Sequence, residues 1–209
     1  MTTGKFITFE GGEGAGKSTQ VRLLVERLQN ESITTVATRE PGGAPVAEKI
    51  RDLVLGERPS AAVSELLLFA AARAEHIAVT IAPALGRGDW VVCDRYIDSS
   101  RVYQGALGGI ERGFIKTIED QTVAPWFPDL TLILDVDAET GIGRARARGG
   151  LSRFDAAEVV QHEVVRQGFL AVAAAEPDRC VVIDGSADEA TVSDAVWAAV
   201  RQRLITTVR

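Results

Sequence analysis

Short apolar runs alternate with amphipathic stretches along most of the chain. Apolar and β-branched residues predict five strands, at residues 5–10, 34–38, 90–93, 130–136 and 180–183. Between them, apolar residues recur at intervals of three and four, as at Val21, Leu24, Val25 and Leu28, which is the stripe of an amphipathic helix. This periodicity predicts helices over residues 19–28, 46–54, 60–85, 111–123, 138–148, 156–175 and 188–204. Such alternation indicates an α/β fold whose parallel sheet is covered by helices on both faces.

Two stretches and one proline interrupt this pattern. Residues 96–109 are rich in Ser, Gly, Tyr and Gln, and we predict a loop there. Pro83 lies inside the long apolar helix, where a proline predicts a kink or a break. Ser60 is placed to cap the start of the same helix. Residues 149–153, which begin with two glycines, break the helical pattern before them.

The composition narrows the class of protein. The 209 residues are 46% hydrophobic and 25% charged, which is typical of a globular protein, so we predict one domain over residues 1–209. The net charge of −6 argues against a surface that wraps nucleic acid. The chain enters a strand without the charged and apolar start of a secretion signal, and no apolar run has the length of a bilayer span. We therefore predict a cytoplasmic protein with no nucleic-acid or membrane partner.

The cysteines and histidines do not suggest a metal centre. Cys93 and Cys180 each lie in an apolar run and are predicted to be buried strand thiols rather than a disulfide or a metal-ligating pair. His76 and His162 are isolated in the sequence, so no zinc-ligating pattern is visible.

One motif carries specific chemistry. Residues 11–18 read Gly-Gly-Glu-Gly-Ala-Gly-Lys-Ser, which is the spacing of a phosphate-binding loop, and they lie between the first strand and the first helix. Glycines let the backbone N–H groups turn inward, and the helix N-terminus adds partial positive charge. Lys17 would then reach the β- and γ-phosphates of a nucleotide, and Ser18 would ligate Mg²⁺. The alternative, a glycine turn beside a surface lysine, is disfavoured by the flanking strand and helix.

Charged residues follow the first three strands in pairs: Glu13 and Lys17, Arg39 and Glu40, and Asp94 and Arg95. Parallel sheets bind ligands beyond the carboxyl ends of their strands, so we expect all three pairs at one edge, around the glycine loop. A carboxylate at Asp94 would hold Mg²⁺ directly or through water, and the fork of Arg95 suits phosphate oxygens. The alternative is an Asp–Arg surface pair at a strand end.

Residues 144–153 contain four arginines, at 144, 146, 148 and 153. Arg144 and Arg148 are one helical turn apart and repel each other, which an anion would relieve. With the two glycines between them and Arg153, this segment, about 144–156, indicates a basic lid that closes over phosphates. The alternative is a solvated basic helix end, where arginine also suits the helix dipole.

Two pairs of residues are candidates for recognising a base. Phe69 and Arg73 lie four residues apart on one predicted helix, so a ring and a guanidinium share a face. Tyr103 and Gln104 lie in the predicted loop. For both pairs the sequence leaves open whether the aromatic ring contacts a ligand or belongs to the core.

Four stretches together resemble the thymidylate kinase family of the bacterial type. They are residues 9–19 around the glycine loop, residues 38–43 (Thr-Arg-Glu-Pro-Gly-Gly), Asp94-Arg95-Tyr96 with Ser99-Ser100 and Tyr103-Gln104-Gly105, and residues 144–149 with Arg153. The resemblance covers residues 5 to about 185. It implies a P-loop NTPase-like three-layer fold of the nucleoside monophosphate kinase type, a homodimer, and transfer of the γ-phosphoryl of Mg-ATP to dTMP in dTTP synthesis. The apolar helix 60–82 is a candidate dimer face.

The resemblance also implies roles for individual residues. ATP would contact Gly11, Gly12, Glu13, Gly14, Ala15, Gly16, Lys17, Ser18, Thr19 and Arg144, with Mg²⁺ on Ser18 and Asp94. The acceptor dTMP would contact Glu13, Arg39, Glu40, Phe69, Arg73, Arg95, Ser99, Ser100, Tyr103 and Gln104. Catalysis would depend on Lys17, Arg95, Arg153, Glu13 and Asp94. Some relatives carry an arginine within the glycine loop, but residues 12–15 contain no basic residue here, so the lid would have to supply that charge.

Two other functions remain open from the residues alone. One is another small phosphotransferase on the same fold, acting on a different nucleoside monophosphate or a small alcohol. The other is a nucleotide-dependent switch, although no Asn-Lys-x-Asp stretch for guanine is present. The adenine pocket is expected near Arg144 and Gly185.

Overall fold

The computed structural model describes residues 4–56, 61–147 and 159–205. Its strands are β1 (Phe6–Glu10), β2 (Thr35–Arg39), β3 (Trp90–Asp94), β4 (Leu130–Asp135) and β5 (Cys180–Asp184). They form one parallel sheet in the order β2-β3-β1-β4-β5. The predicted fold class is therefore confirmed, with β1 and its glycine loop at the centre of the sheet.

Helices connect the strands and cover the sheet. The described helices are α1 (Lys17–Asn30), α2 (Pro45–Gly56), α3 (Ala62–His76), α4 (Ala82–Gly86), α5 (Ile97–Ser100), α6 (Arg112–Thr122), α7 (Ala138–Ala147), α8 (Val159–Ala175) and α9 (Glu189–Leu204), with π-helical segments at Ile77–Ile81 and Arg101–Leu107.

The central strand is buried on both faces. Ile7 and Phe9 pack with residues of α1 and α9, whereas Phe6 packs on the opposite face against Ile81 and Tyr96. All five residues of β1 are buried, because successive side chains of a strand point to opposite faces and each face is covered by helices. The two cysteines are free and buried in β3 and β5, as predicted.

The long apolar helix differs from its prediction near Pro83. The chain stays helical from Ala62 to Gly86, but its turns widen to the π form over Ile77–Ile81. Proline lacks an N–H and clashes with the carbonyl four residues earlier, and a wider turn just before it relieves that clash. The chain near Pro83 therefore continues as a helix with a π-helical segment instead of breaking. Ser60, the predicted cap of this helix, lies outside the described residues.

The prediction of a loop over residues 96–109 is wrong. These residues form α5 and the π-helical segment Arg101–Leu107. α8 packs closely on this segment, since a Cβ at Gly168 would lie 2.9 Å from Val102. Arg101 also pairs with Glu119 of α6 and with Glu176, which follows α8. Packing and ion pairs from distant elements therefore override a composition that favours loops.

By length and composition, Ala62–Gly86 could also cross a membrane. Its polar residues argue for a core helix instead. Arg73 and His76 are at most 4% exposed and are hydrogen-bonded to the loop after β2, and Ile77 and Ile81 pack against the sheet. This helix also provides two residues predicted to contact a ligand, Phe69 and Arg73.

Candidate active site

The glycine loop has a backbone that only glycine adopts without strain. Gly11, Gly14 and Gly16 have φ values of 137°, 72° and 91°. A Cβ at Gly14 would lie 1.9 Å from the carbonyl oxygen of Gly141, so this loop packs directly on α7. The loop ends at the N-terminus of α1, where unpaired N–H groups and the helix dipole favour an anion.

Lys17 folds over the glycine loop. Its Nζ donates to the carbonyl oxygens of Gly11 at 3.0 Å and Gly12 at 2.7 Å. Burial, followed by the nearby charge of Arg95, lowers the pKa of Lys17 from 10.5 to about 8. A phosphate brought to this loop would favour the charged ammonium, because an opposite charge stabilises it.

An oxygen pair beside the loop suits Mg²⁺. The Ser18 hydroxyl donates to Oδ2 of Asp94 at 2.6 Å. Mg²⁺ prefers oxygen ligands and is often held by one or two protein groups together with substrate phosphates and water. Within the described ranges no cluster of three or more His, Cys, Asp or Glu residues forms a metal centre. The residues present thus fit a metal that arrives with the nucleotide.

Arg95 lies between the glycine loop and the neighbouring cavity. Its backbone has a φ of 70°, which is rare for residues other than glycine. The guanidinium donates to a carboxylate oxygen of Glu13, to the carbonyl of Gly11 and to Oγ of Ser99. Its carbon lies 5.1 Å from the centre of the Tyr103 ring. These contacts fix a cation between the glycine loop and the cavity.

The cavity beside this arginine has a volume of about 270 Å³. It is lined by Glu13, Gly14, Gly16, Lys17, Ser18, Arg39, Glu40, Pro41, Arg51, Leu55, Phe69, Arg73, Asp94, Arg95, Tyr96, Ser99, Ser100, Tyr103 and Gln104. All ten residues predicted to contact the acceptor are in this lining, although they come from four separate stretches of the chain. Phe69 is half-buried there rather than part of the core clusters.

At one end of the cavity, hydrogen bonds hold two polar side chains in place. Arg73 donates from Nε to Glu40 at 2.7 Å and from Nη2 to Oγ of Ser100 at 3.1 Å. Gln104 donates from Nε2 to Oε1 of Glu65 at 2.9 Å. Because a carboxylate only accepts, this bond fixes which end of the Gln104 amide is nitrogen.

The sequence reasoning missed Arg51. It lies on α2, lines the cavity, and donates from Nη1 to the carbonyl of Pro41 at 2.6 Å. Arg39 is close by and pairs with Glu48 at 3.1 Å. The only sequence signal was an arginine one turn before the end of an amphipathic helix, which is common on solvated faces.

Arg144 is not among the residues that line this cavity. Its guanidinium donates to the carbonyls of Gly185 at 2.7 Å and Ser186 at 3.1 Å, which joins α7 to the loop after β5. A Cβ at Gly185 would be 3.4 Å from the carbonyl of Ala15, so this loop abuts the glycine loop. Arg153 and most of the predicted lid lie outside the described residues.

Glu10, at the end of β1, is a second group that the sequence reasoning missed. It is fully buried and accepts hydrogen bonds from the N–H groups of Tyr96 and Ser99 and from the Ser99 hydroxyl. Burial, followed by the charge of Asp98, raises the pKa of Glu10 from 4.5 to about 7. Through these hydrogen bonds the carboxyl of Glu10 joins β1 to the segment that carries Arg95.

This pKa predicts an unusual dependence of stability on pH. Between about pH 4.5 and 7 the folded protein holds a proton on Glu10 that the unfolded chain has lost, so the free energy of unfolding should fall as the pH rises through this window. The expected loss is on the order of 3 kcal/mol. Urea unfolding at a series of pH values should show it. Glu10→Gln should remove this slope, whereas Glu31→Gln on the exposed end of α1 should retain it; equal slopes in both variants would contradict the assignment.

Comparison with known proteins is consistent with this geometry. A family model described as thymidylate kinase matches residues 9–196. Thymidylate kinases of Nitrobacter winogradskyi and Rhodopseudomonas palustris are 51% and 48% identical to this chain, covering 97% and 99% of it and 90% and 92% of their own lengths. The crystal structure of thymidylate kinase from Ehrlichia chaffeensis has a TM-score of 0.78 and 36% identity, over 95% of this chain and 98% of that one. The chain therefore belongs to the thymidylate kinase family.

Proposed function

We propose that this protein transfers the γ-phosphoryl of Mg-ATP to dTMP, which gives ADP and dTDP for dTTP synthesis. The family, the named relatives and the fold support this reaction. ATP and deoxynucleotide precursors are cytosolic metabolites, so a cytoplasmic location goes with the proposal. The observation that carries it is the pattern of donors and acceptors at the end of the cavity that Arg73 and Gln104 line, which we call the base end.

That pattern suits thymine. The amide nitrogen of Gln104 is held by Glu65, and within the described ranges its Oε1 accepts no hydrogen bond. The same part of the chain provides no partner for Nη1 of Arg73. Thymine offers an N–H donor at N3 beside a carbonyl acceptor at O4, whereas cytosine offers an acceptor beside an amino donor. An amide oxygen next to a guanidinium N–H therefore complements thymine and opposes cytosine.

The sugar end suits a deoxynucleotide. The Tyr103 ring is fixed between the Arg95 guanidinium and the Phe169 ring, whose centre is 6.2 Å away. A fixed ring cannot move aside for an extra hydroxyl, so Tyr103 would exclude the 2′-hydroxyl of a ribonucleotide. Glu13 would lie near the 3′-hydroxyl and the phosphates, and Phe69 would stack on the base.

The phosphate end needs alignment and charge rather than a covalent intermediate. Phosphoryl transfer passes through a loose transition state that positioned cations stabilise. Lys17 and the loop amides would hold the donor phosphates, Arg95 would bridge donor and acceptor, and Arg39 with Arg51 would face the acceptor phosphate. Mg²⁺ on Ser18 and Asp94 would neutralise charge on the donor. Arg153 would add charge from the lid, and Arg144 would contact the donor nucleotide.

Direct identification of the products tests the reaction. The purified protein is incubated with Mg-ATP and dTMP, and the nucleotides are separated by anion-exchange chromatography. The proposal expects ADP and dTDP to appear in equal amounts, with neither forming when dTMP is omitted. ADP without dTDP would instead indicate hydrolysis by a nucleotide switch and overturn the proposal.

We further propose that the protein is a homodimer through α2 and α3. The two helices pack on one another through Ala47 and Ala72, and both expose apolar residues. Leu53, Val63 and Leu67 are each 45% exposed. Packing these side chains against the same helices of a second copy would remove their apolar surface from water.

Sedimentation velocity tests the dimer. We expect the wild type to sediment as a dimer and Leu67→Glu to sediment as a monomer, because a buried unpaired carboxylate opposes association. Val160→Glu, on the exposed face of α8, is the matched control and should remain dimeric. A monomeric wild type, or a Leu67→Glu variant that stays dimeric at micromolar concentration, would contradict this interface.

A further inference from the structure

A chain of hydrogen bonds runs behind the base end of the cavity. The proposed reaction uses neither of its last two members, His76 and Thr38. Nε of Arg73 donates to Oε2 of Glu40 at 2.7 Å. The other carboxylate oxygen, Oε1, lies 3.0 Å from Nδ1 of His76, and Nε2 of His76 lies 2.6 Å from Oγ1 of Thr38. His76 is 0% exposed, so it cannot itself touch a substrate in the cavity.

The direction of these bonds follows from the chemistry of the groups. A carboxylate that pairs with Arg73 is an acceptor, so the His76 nitrogen that faces it carries the proton. Glu40 is therefore held from both sides, by a guanidinium in front and by an imidazole behind. Because both of its oxygens are hydrogen-bonded, the Glu40 carboxylate is held in one orientation, with Oε2 facing Arg73.

The same imidazole fixes the loop that bears Glu40. Gly43 has a φ of 79°, and a Cβ there would lie 2.3 Å from Nε2 of His76, so the loop packs directly on the ring. Thr80, in the π-helical segment, donates to the carbonyl of Gly43 at 2.6 Å. The loop after β2 is thus joined to α3 and to the π-helical segment that follows it. Arg73 and His76 lie one turn apart on α3, close to this joint.

We propose that His76 is a positioning residue for recognition of the acceptor base. It orients Glu40, which in turn holds the Arg73 guanidinium with Nη1 directed to the base carbonyl. This inference rests on the proposed function, because it concerns the same acceptor cavity. Loss of the contact between His76 and Glu40 would loosen Arg73 and weaken selection for thymine, while the phosphate loop on the other side of Arg95 would be unaffected.

Two amide variants separate the two hydrogen bonds of the ring. In His76→Asn the side-chain amide reaches the position of Nδ1 and can still donate to Glu40, but not to Thr38. In His76→Gln the amide reaches the position of Nε2 and keeps the contact with Thr38 instead. Both variants replace the buried ring by a smaller amide and lose packing, and Asn, which is one methylene shorter than Gln, loses more of it, so lost packing alone would make His76→Asn the more impaired variant.

The proposal expects a split between these variants in steady-state kinetics. His76→Gln should raise KM for dTMP about tenfold and lower the ratio of kcat/KM for dTMP over dCMP by a similar factor, because a hydrogen bond to a charged group is lost. His76→Asn should stay within about twofold of the wild type in both quantities. KM for ATP should be unchanged in both, and thermal melting confirms that both are folded.

Equal defects in the two variants, or a change in KM for ATP as large as that for dTMP, would show that His76 acts only through packing and would overturn the proposal. Wild-type values in both variants would overturn it as well. Wild-type turnover of dTMP is measured first, because its absence would overturn the proposed function and, with it, this inference. With that turnover established, the comparison of Asn with Gln tests His76 alone.

Discussion

Arg95→Ala is expected to lower kcat for dTMP phosphorylation by about a thousandfold, since a positioned arginine on the transferring phosphoryl contributes a factor of this size or more. Arg95 contacts the glycine loop at Gly11 and also lines the acceptor cavity. The loss should fall on kcat more than on KM, because the charge it neutralises develops in the transition state. A coupled assay for ADP with saturating dTMP measures it.

An exposed arginine provides the control for this variant. Arg22 lies on α1 and pairs with Glu26 at the surface. Arg22→Ala should retain wild-type kcat, and both variants should show similar thermal melting. If Arg95→Ala kept more than about a tenth of wild-type kcat, this arginine would not bridge the two phosphoryl groups.

Lys17→Met is expected to lower kcat by a hundredfold or more, because it removes the ammonium that would neutralise the donor phosphates. Stability should be retained or rise. Burial lowers the pKa of Lys17 to about 8, so at neutral pH the folded protein holds a buried charge at a cost, and methionine keeps the apolar stem without that charge. Turnover and thermal melting, measured on the same preparation, separate the two effects.

Lys116→Met, on the exposed face of α6 where Lys116 pairs with Asp120, is the matched control. It should change neither turnover nor melting. Wild-type turnover in Lys17→Met would contradict the assignment of the glycine loop to the donor phosphates. A large fall in its melting temperature would instead show that the ammonium supports the fold through the carbonyls of Gly11 and Gly12.

The sequence predicted well those features that depend on local pattern. Five apolar runs became the five strands, and the rule that ligands bind beyond the carboxyl ends of parallel strands brought together residues as distant as Glu13, Arg39 and Arg95. Each of these lies at the end of a strand or within three residues after it, so periodicity alone was enough to place them. The ambiguity between core and site at Phe69 needed the structure, because a helical stripe does not show what faces it.

Features that depend on distant contacts were missed. The helical state of residues 97–107 is supported by α8 and by ion pairs such as Arg101 with Glu119, which no local pattern reveals. Glu10 resembles any strand residue until its burial against Tyr96 and Ser99 is seen. Arg51 and His76 belong to ordinary helical patterns, and their positions in and behind the cavity arise from the packing of α2 and α3 onto the loop after β2.

The most direct test of the central claim is a comparison of acceptors. The protein is mixed with Mg-ATP and, separately, with dTMP, dUMP, UMP, dCMP and shikimate, and release of ADP is followed. Fast release with dTMP, slower release with dUMP and near-background release with the others is the predicted result, since Arg73, Gln104 and Tyr103 would select thymine and the deoxy sugar. Fast release with UMP or dCMP would contradict the acceptor pocket, and background release with every acceptor, despite binding of ATP, would contradict phosphoryl transfer itself.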